Sequence, residues 1–183
     1  DNLCALVSMA HLDRPLEQQA HVTFEQLEGW TDGLICLTAG GEGALCRLLA
    51  EEQDHAAFQY ADRLLQLFSG RLYIEISRRL DEVEGKAEPA LLDLAYRLNL
   101  PLVATNPANF SDADFHAAHD AMLCIANSTY LESDERPKSS PDAWMKPAKD
   151  MRQLFEDLPE ALSNTLVVAQ RCAAMAPKRK PIL

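Results

Sequence analysis

The sequence predicts an α/β fold that closes with an α-helical section. Three observations carry this. Short apolar runs of strand character alternate with amphipathic helical runs as far as Phe110. The connections between them are short, which favours parallel strands with crossover helices in an α/β sheet or barrel. Beyond Phe110 the apolar period is that of helices alone. With 183 residues, 48% of them apolar, the chain is long enough for one large domain or a compact pair with a substantial core. No internal repeat or low-complexity block interrupts it.

The elements follow in order. Asp1 to His11 places Leu3, Leu6, Val7 and Ala10 at helical spacing. A polar connection follows, and Thr23 with Gln26 three residues on has the spacing of a capping box for a short helix. "DGLICLTAG" (Asp32 to Gly40) is an apolar run fit for a buried strand. "EGALCRLLAEEQ" is an amphipathic helix. "DHAAFQYADRLLQLFSG" is a longer one, with Asp54 expected as N-cap and Gly70 just past its end.

Arg71 to Arg79 alternates as a strand does, with Leu72, Ile74 and Ile76 on one face and Tyr73, Glu75 and Ser77 on the other. "EPALLDLAYRLNL" returns to helix, and Pro101 opens the next strand, "PLVAT". Ser111, with Asp114 three residues later, is expected to cap the next helix. "ESDERPKSSPDAW" reads as a loop. Two helices close the chain, the last with Leu162, Leu166, Ala169 and Cys172 or Ala173 as its apolar stripe. We expect residues 1–130 to form the α/β part and residues 131–183 a helical segment.

Charge and cysteine content narrow the function classes. A net charge of −11 opposes broad attraction to nucleic acid or to an anionic membrane. The basic run "PKRKP" (Pro177 to Pro181) is the exception, and reads as a solvated tail, a nucleic-acid contact or a linker. Five cysteines without a CxxC pair fit free, mostly buried thiols in a reducing compartment and not a structural zinc site. No apolar run has the length of a membrane span and no signal-peptide pattern opens the chain, so a cytoplasmic location is expected. The chain does not begin with Met, and we expect a piece of a longer protein.

The residues alone offer weak candidate sites. "AGGEG" precedes a helix, but it lacks the Lys-Ser/Thr of a P-loop and the GxGxxG spacing, so a turn is the simpler reading. His116 and His119 stand at i and i+3 with Asp120 beside them. Helical metal pairs more often use i and i+4, so a helix start with favourably placed acids is the stronger reading. His11, His21 and His55 are isolated. Glu75, in mid-strand, can point into a catalytic centre or pair with Arg71 or Arg78, and the sequence leaves both open.

Longer phrases carry a resemblance. "HLDRP", "EGWTDGLICLTAGGEGALCRLL", "LYIEISRR", "LPLVATNPANF", "FHAAHDAMLCIANST" and "LFEDLPEALSNTLVVAQRCAAMAPKRKPIL" together resemble the PHP (polymerase and histidinol phosphatase) domain of bacterial replicative DNA polymerase III alpha subunits. The likeness runs along almost the whole chain. It implies part of a distorted (β/α) barrel, cut at both ends, whose opening His-x-His motif is absent here. An incomplete barrel is expected to expose strand edges and to self-associate.

The resemblance also bears on the loop after the "LVAT" strand. In metal-binding members this loop is similar to "ATNDVHY", its Asp and His being ligands. Here those positions are Pro107 and Asn109. Proline has no ligand atom and asparagine is a poor substitute for imidazole, so a degenerate site is implied, with neither catalytic nor metal-binding residues. Glu75, His116 and His119 are the candidates for any residual site.

The parent implied by the family is a magnesium-dependent DNA polymerase of the replication machinery. This piece would hold no cofactor and would dock the separate proofreading exonuclease subunit, epsilon, with DNA bound mainly by other domains. Two alternatives stand beside it: an active metal-dependent PHP phosphoesterase or exonuclease, and the related error-prone alpha-type polymerase. A third, from the residues alone, is a small-molecule-binding α/β domain that uses the glycine turn.

Overall fold

Parallel strands at the centre of the chain set the architecture. The computed structural model describes residues 1–15 and 17–174, so the basic run Pro177 to Pro181 lies outside the described residues. Helix α1 (Asn2–Leu12) and the single-turn α2 (Phe24–Leu27) lead to strand β1 (Cys36–Leu37). Helices α3 (Ala44–Ala50) and α4 (Asp54–Leu67) precede β2 (Leu72–Ser77). Then α5 (Glu82–Arg97) crosses to β3 (Leu102–Thr105). Helices α6 (His116–Ala126), α7 (Ala148–Leu154) and α8 (Pro159–Arg171) complete the described chain. The strands lie in the order β1-β2-β3, every pair parallel. The expected α/β class and parallel pairing are thus present, as an open three-stranded sheet among the described residues. No helix among them is long and apolar enough to cross a membrane.

The register explains the core. Ile74 sits opposite Leu102 and Ile76 opposite Ala104, so these residues share one face of the sheet. That face belongs to a single buried cluster with Leu45 of α3, Ala57 and Ala61 of α4, Ala87 and Leu91 of α5, and Phe155 and Ala161. The opposite face of β2 is also covered: Tyr73 and Ser77 are buried, as a parallel strand between helices requires. Phe155 is fully buried, which ties the helical C-terminal section into the core of the sheet.

Local chemistry decides several boundaries. The capping box at α2 forms as expected, with the Thr23 hydroxyl accepting from the Gln26 N–H and the Gln26 side chain accepting from the Thr23 N–H. Helix α5 begins six residues earlier than "EPALLDL" implied, because the Asp81 carboxylate caps it by accepting from the N–H groups of Val83 and Glu84. Pro89 then lies inside the helix. Asp54 is the first helical residue of α4 and Gln53 its N-cap, while Gly70 does take a left-handed φ of +68° two residues after the C-cap Phe68. Ser111 is not a cap. Its hydroxyl donates to Asp112, and a 3-10 turn (Ala113–Phe115) leads into α6.

The stripe expected on α8 is rotated. Ala161 is buried, and Asn164 donates to the Leu102 carbonyl at the edge of β3. Leu166 faces out. A polar residue that serves a strand edge belongs to the inner face, which a purely apolar count overlooks.

Candidate functional site

Ligands of parallel α/β sheets gather outside the C-terminal strand ends, so this rim is the place to look. After β1, Thr38 and Ala39 lead into a 3-10 turn (Gly40–Glu42). Ala39 has φ +63° and Gly43 caps α3. The glycines are there for room. A Cβ on Gly40 would stand 2.4 Å from the Ser77 hydroxyl, and one on Gly43 would stand 1.9 Å from the Thr38 carbonyl oxygen.

Glu75 reaches into this rim and is held from two sides. One carboxylate oxygen accepts from the Thr105 hydroxyl at 2.7 Å, and the other accepts from the Ala39 N–H at 2.9 Å. The Glu75 N–H itself donates to the Thr38 hydroxyl. Glu75 therefore links β1, β2 and β3, and its partners are neither Arg71 nor Arg78. Arg71 donates to the carbonyls of Thr31 and Leu34. Arg78 pairs with Glu88 and Asp157 and lies over the Phe155 ring.

The second centre of the rim is Glu84, only 5% exposed. It accepts from the Ser77 hydroxyl at 2.6 Å and from the Arg79 N–H at 2.9 Å, and it pairs with the Arg79 guanidinium at 2.9 Å. Arg79 reaches Glu42 as well, and its carbonyl accepts from the Ser140 hydroxyl. Sequence reasoning passed over Glu84 and Arg79. The available signal was the pair Arg78-Arg79 followed at helical spacing by Glu84 and Glu88. Near this rim, burial pushes the thiols of Cys36 and Cys46 up to about 11, with Glu75 and Glu84 respectively adding to it.

The loop after β3 is fixed by its backbone. The Asn106 side-chain Nδ2 donates to the Trp144 carbonyl, the Asn109 backbone N–H donates to the Ala143 carbonyl at 2.7 Å, and Phe110 bridges to Trp144. Pro107 is half-buried and Asn109 exposed. His116 and His119 lie apart from Glu75 in their bonding. Nε2 of His116 meets the Ser139 carbonyl at 3.1 Å, Nδ1 of His119 meets the Ser139 hydroxyl at 3.0 Å, and both rings pack on Phe110. Asp120 is taken by Arg136, which holds its carboxyl below the usual range. Among the described residues no group of three or more His, Cys, Asp and Glu side chains is arranged to hold a metal ion.

Comparison with known proteins adds kinship to this geometry. Residues 1–79 match the PHP domain, a stretch that ends just after β2. The whole chain is 40% identical over 182 residues to the DNA polymerase III subunit alpha of Caulobacter vibrioides, and covers 16% of that protein. It is 36% identical over 182 residues to the protein of the same name from Rickettsia bellii, again covering 16% of it. With that of Pseudomonas aeruginosa the identity is 31% over 172 residues, 93% of this chain and 15% of the relative.

Proposed function

This chain belongs to the DNA polymerase III alpha-subunit family through its PHP domain, and on that premise we propose that it is a non-catalytic scaffold of a replicative DNA polymerase that docks the proofreading exonuclease subunit, epsilon. The whole protein is then a magnesium-dependent DNA-directed DNA polymerase working in the cytoplasm. The chain spans 16% of the Caulobacter relative.

One observation supports the scaffold reading above the others: the acidic side chains of the strand-end rim are engaged within the protein. Glu75 is held by Thr105 and Ala39, Glu84 by Ser77 and Arg79, and Glu88 by Arg78. A metal centre for phosphoester hydrolysis needs several carboxylates and imidazoles converging with free lone pairs. Two guanidinium groups at this rim are the wrong neighbours for a cation, and Pro107 and Asn109 add no anionic or imidazole donor. The donor set does not fit a multinuclear metal site. Residues 1–130 would then carry the sheet and most of its rim, with α7 and α8 bracing it; of the expected segment 131–183, residues 175–183 lie outside the described residues.

Docking is tested by adding purified proofreading exonuclease to the chain in sedimentation velocity. A faster complex with one exonuclease per chain is expected. Two independently sedimenting species would overturn the docking role.

A further inference from the structure

The geometry points to the outer face of α6 as a docking surface for a basic, amphipathic peptide segment of a partner protein. This deepens the docking role proposed above, on which the partner's identity alone rests. Helix α6 divides cleanly into two faces. Its inner face is spoken for: His116 and His119 pack on Phe110 and meet Ser139, Asp120 pairs with Arg136, and Cys124 is buried. On the other side Phe115, Ala118, Met122 and Ile125 recur at the spacing of a partner-binding helix. Met122 is 58% and Ile125 79% exposed. Tyr130 and Leu131, which follow the helix end in the chain, are exposed as well. Large apolar side chains gathered in this way mark an interaction site more often than scattered ones do.

Charge selects the occupant. The exposed charged residues that flank this face in the chain are acidic in five of six cases, Asp112 and Asp114 before it and Glu132, Asp134 and Glu135 after it, with Lys138 the one exposed cation. Arg136 is not available to offset them, being drawn back to Asp120. A second copy of the chain would bring the same acidic rim against itself in a two-fold contact, at a net charge of −11 each. A segment with apolar residues at helical spacing and lysine or arginine at its flanks is complementary in both respects.

The test uses a labelled Leu/Lys amphipathic peptide, a Leu/Glu counterpart and a scrambled Leu/Lys peptide of equal charge, with anisotropy as readout. The chain is expected to bind the first, to ignore the second, and to bind the scrambled peptide about tenfold more weakly. Met122→Ser with Ile125→Ser changes no charge and removes no buried contact, and should weaken binding about tenfold. Equal binding of the scrambled peptide, or unaltered binding by the double variant, overturns the proposal. So does a dimer of the unmodified chain that the same variant dissolves. The exonuclease separates the two readings. Exonuclease binding that survives the double variant overturns this location and leaves the docking role standing. Peptide binding at α6 without exonuclease binding supports the surface and overturns the role.

Discussion

Arg78 and Asp157 stand 79 positions apart in the chain, yet both carboxylate oxygens of Asp157 accept 2.7 Å hydrogen bonds from the Arg78 guanidinium. The same guanidinium holds Glu88 on α5, donates to the Leu154 carbonyl and lies over Phe155. One side chain at the end of β2 thus fastens the crossover helix and the C-terminal helices to the sheet. Replacing it with alanine leaves Glu88 partly buried without its partner. Arg78→Ala is expected to lower stability by about 2–3 kcal/mol, and Asp157→Asn, at the exposed end of the pair, by less than about 1 kcal/mol. Urea denaturation of the two variants checks the order.

Asp157 also sets a pH dependence. The Arg78 hydrogen bonds hold its carboxyl below the ordinary range, and Arg136 does the same for Asp120. A group whose folded pKa is depressed contributes stability that is fully present above its unfolded value, roughly 4, and that is lost as pH falls through the folded value. Thermal midpoints should therefore be insensitive to these two groups at neutral pH and fall below about pH 4. Asp157→Asn should flatten that acid limb. A midpoint falling with the same slope in the variant would contradict the assignment.

Two glycines should respond in opposite directions. Gly43 has an ordinary φ, but an added Cβ would meet the Thr38 carbonyl oxygen at 1.9 Å. Gly43→Ala is expected to cost about 2 kcal/mol or more. Gly85 lies in the first turns of α5, with nothing within 4 Å of the added atom. Gly85→Ala should raise stability by about 0.5–1 kcal/mol through helix propensity and reduced unfolded-state entropy. Calorimetric melting of both variants reads the two signs.

The thiols should divide by burial. Cys4 and Cys172 are exposed, Cys46 and Cys124 are buried, and Cys36 lies between. Burial raises the Cys36 and Cys46 thiols to about 11, so few of either are thiolate at neutral pH. Timed alkylation with mass spectrometry should modify Cys4 and Cys172 first, and Cys36 and Cys46 only slowly until denaturant is added.

Much of the fold was legible because its signals are local. The alternation of β2, the Thr23–Gln26 box and the Pro101 strand start each depend on residues a few positions apart, and each is present. Misreadings arose where a side-chain hydrogen bond, and not the apolar period, decides. Asp81 starts α5 ahead of Pro89, although a proline is itself a plausible helix opener. The inner face of α8 includes Asn164, whose value lies in the Leu102 carbonyl it serves. The site was less legible for the same reason. Glu75 stood out as a strand carboxylate, but its partners come from Ala39 and Thr105, and Glu84 reaches Ser77 and Arg79 across a turn. The helical spacing of Glu84 and Glu88 after Arg78-Arg79 hints at the second meeting, while strand pairing alone decides the partners of Glu75.

On the proposed scaffold reading, the strand-end rim is a filled structural network and not a metal-dependent phosphoesterase centre. The most direct test of that reading is elemental analysis of the chain purified without chelator, combined with a phosphodiesterase assay of the same sample in added manganese. Less than stoichiometric metal and no turnover above the buffer rate are expected. Stoichiometric metal with turnover that Glu75→Gln abolishes would contradict the scaffold reading, and would mean that other residues rebuild the centre around Pro107 and Asn109.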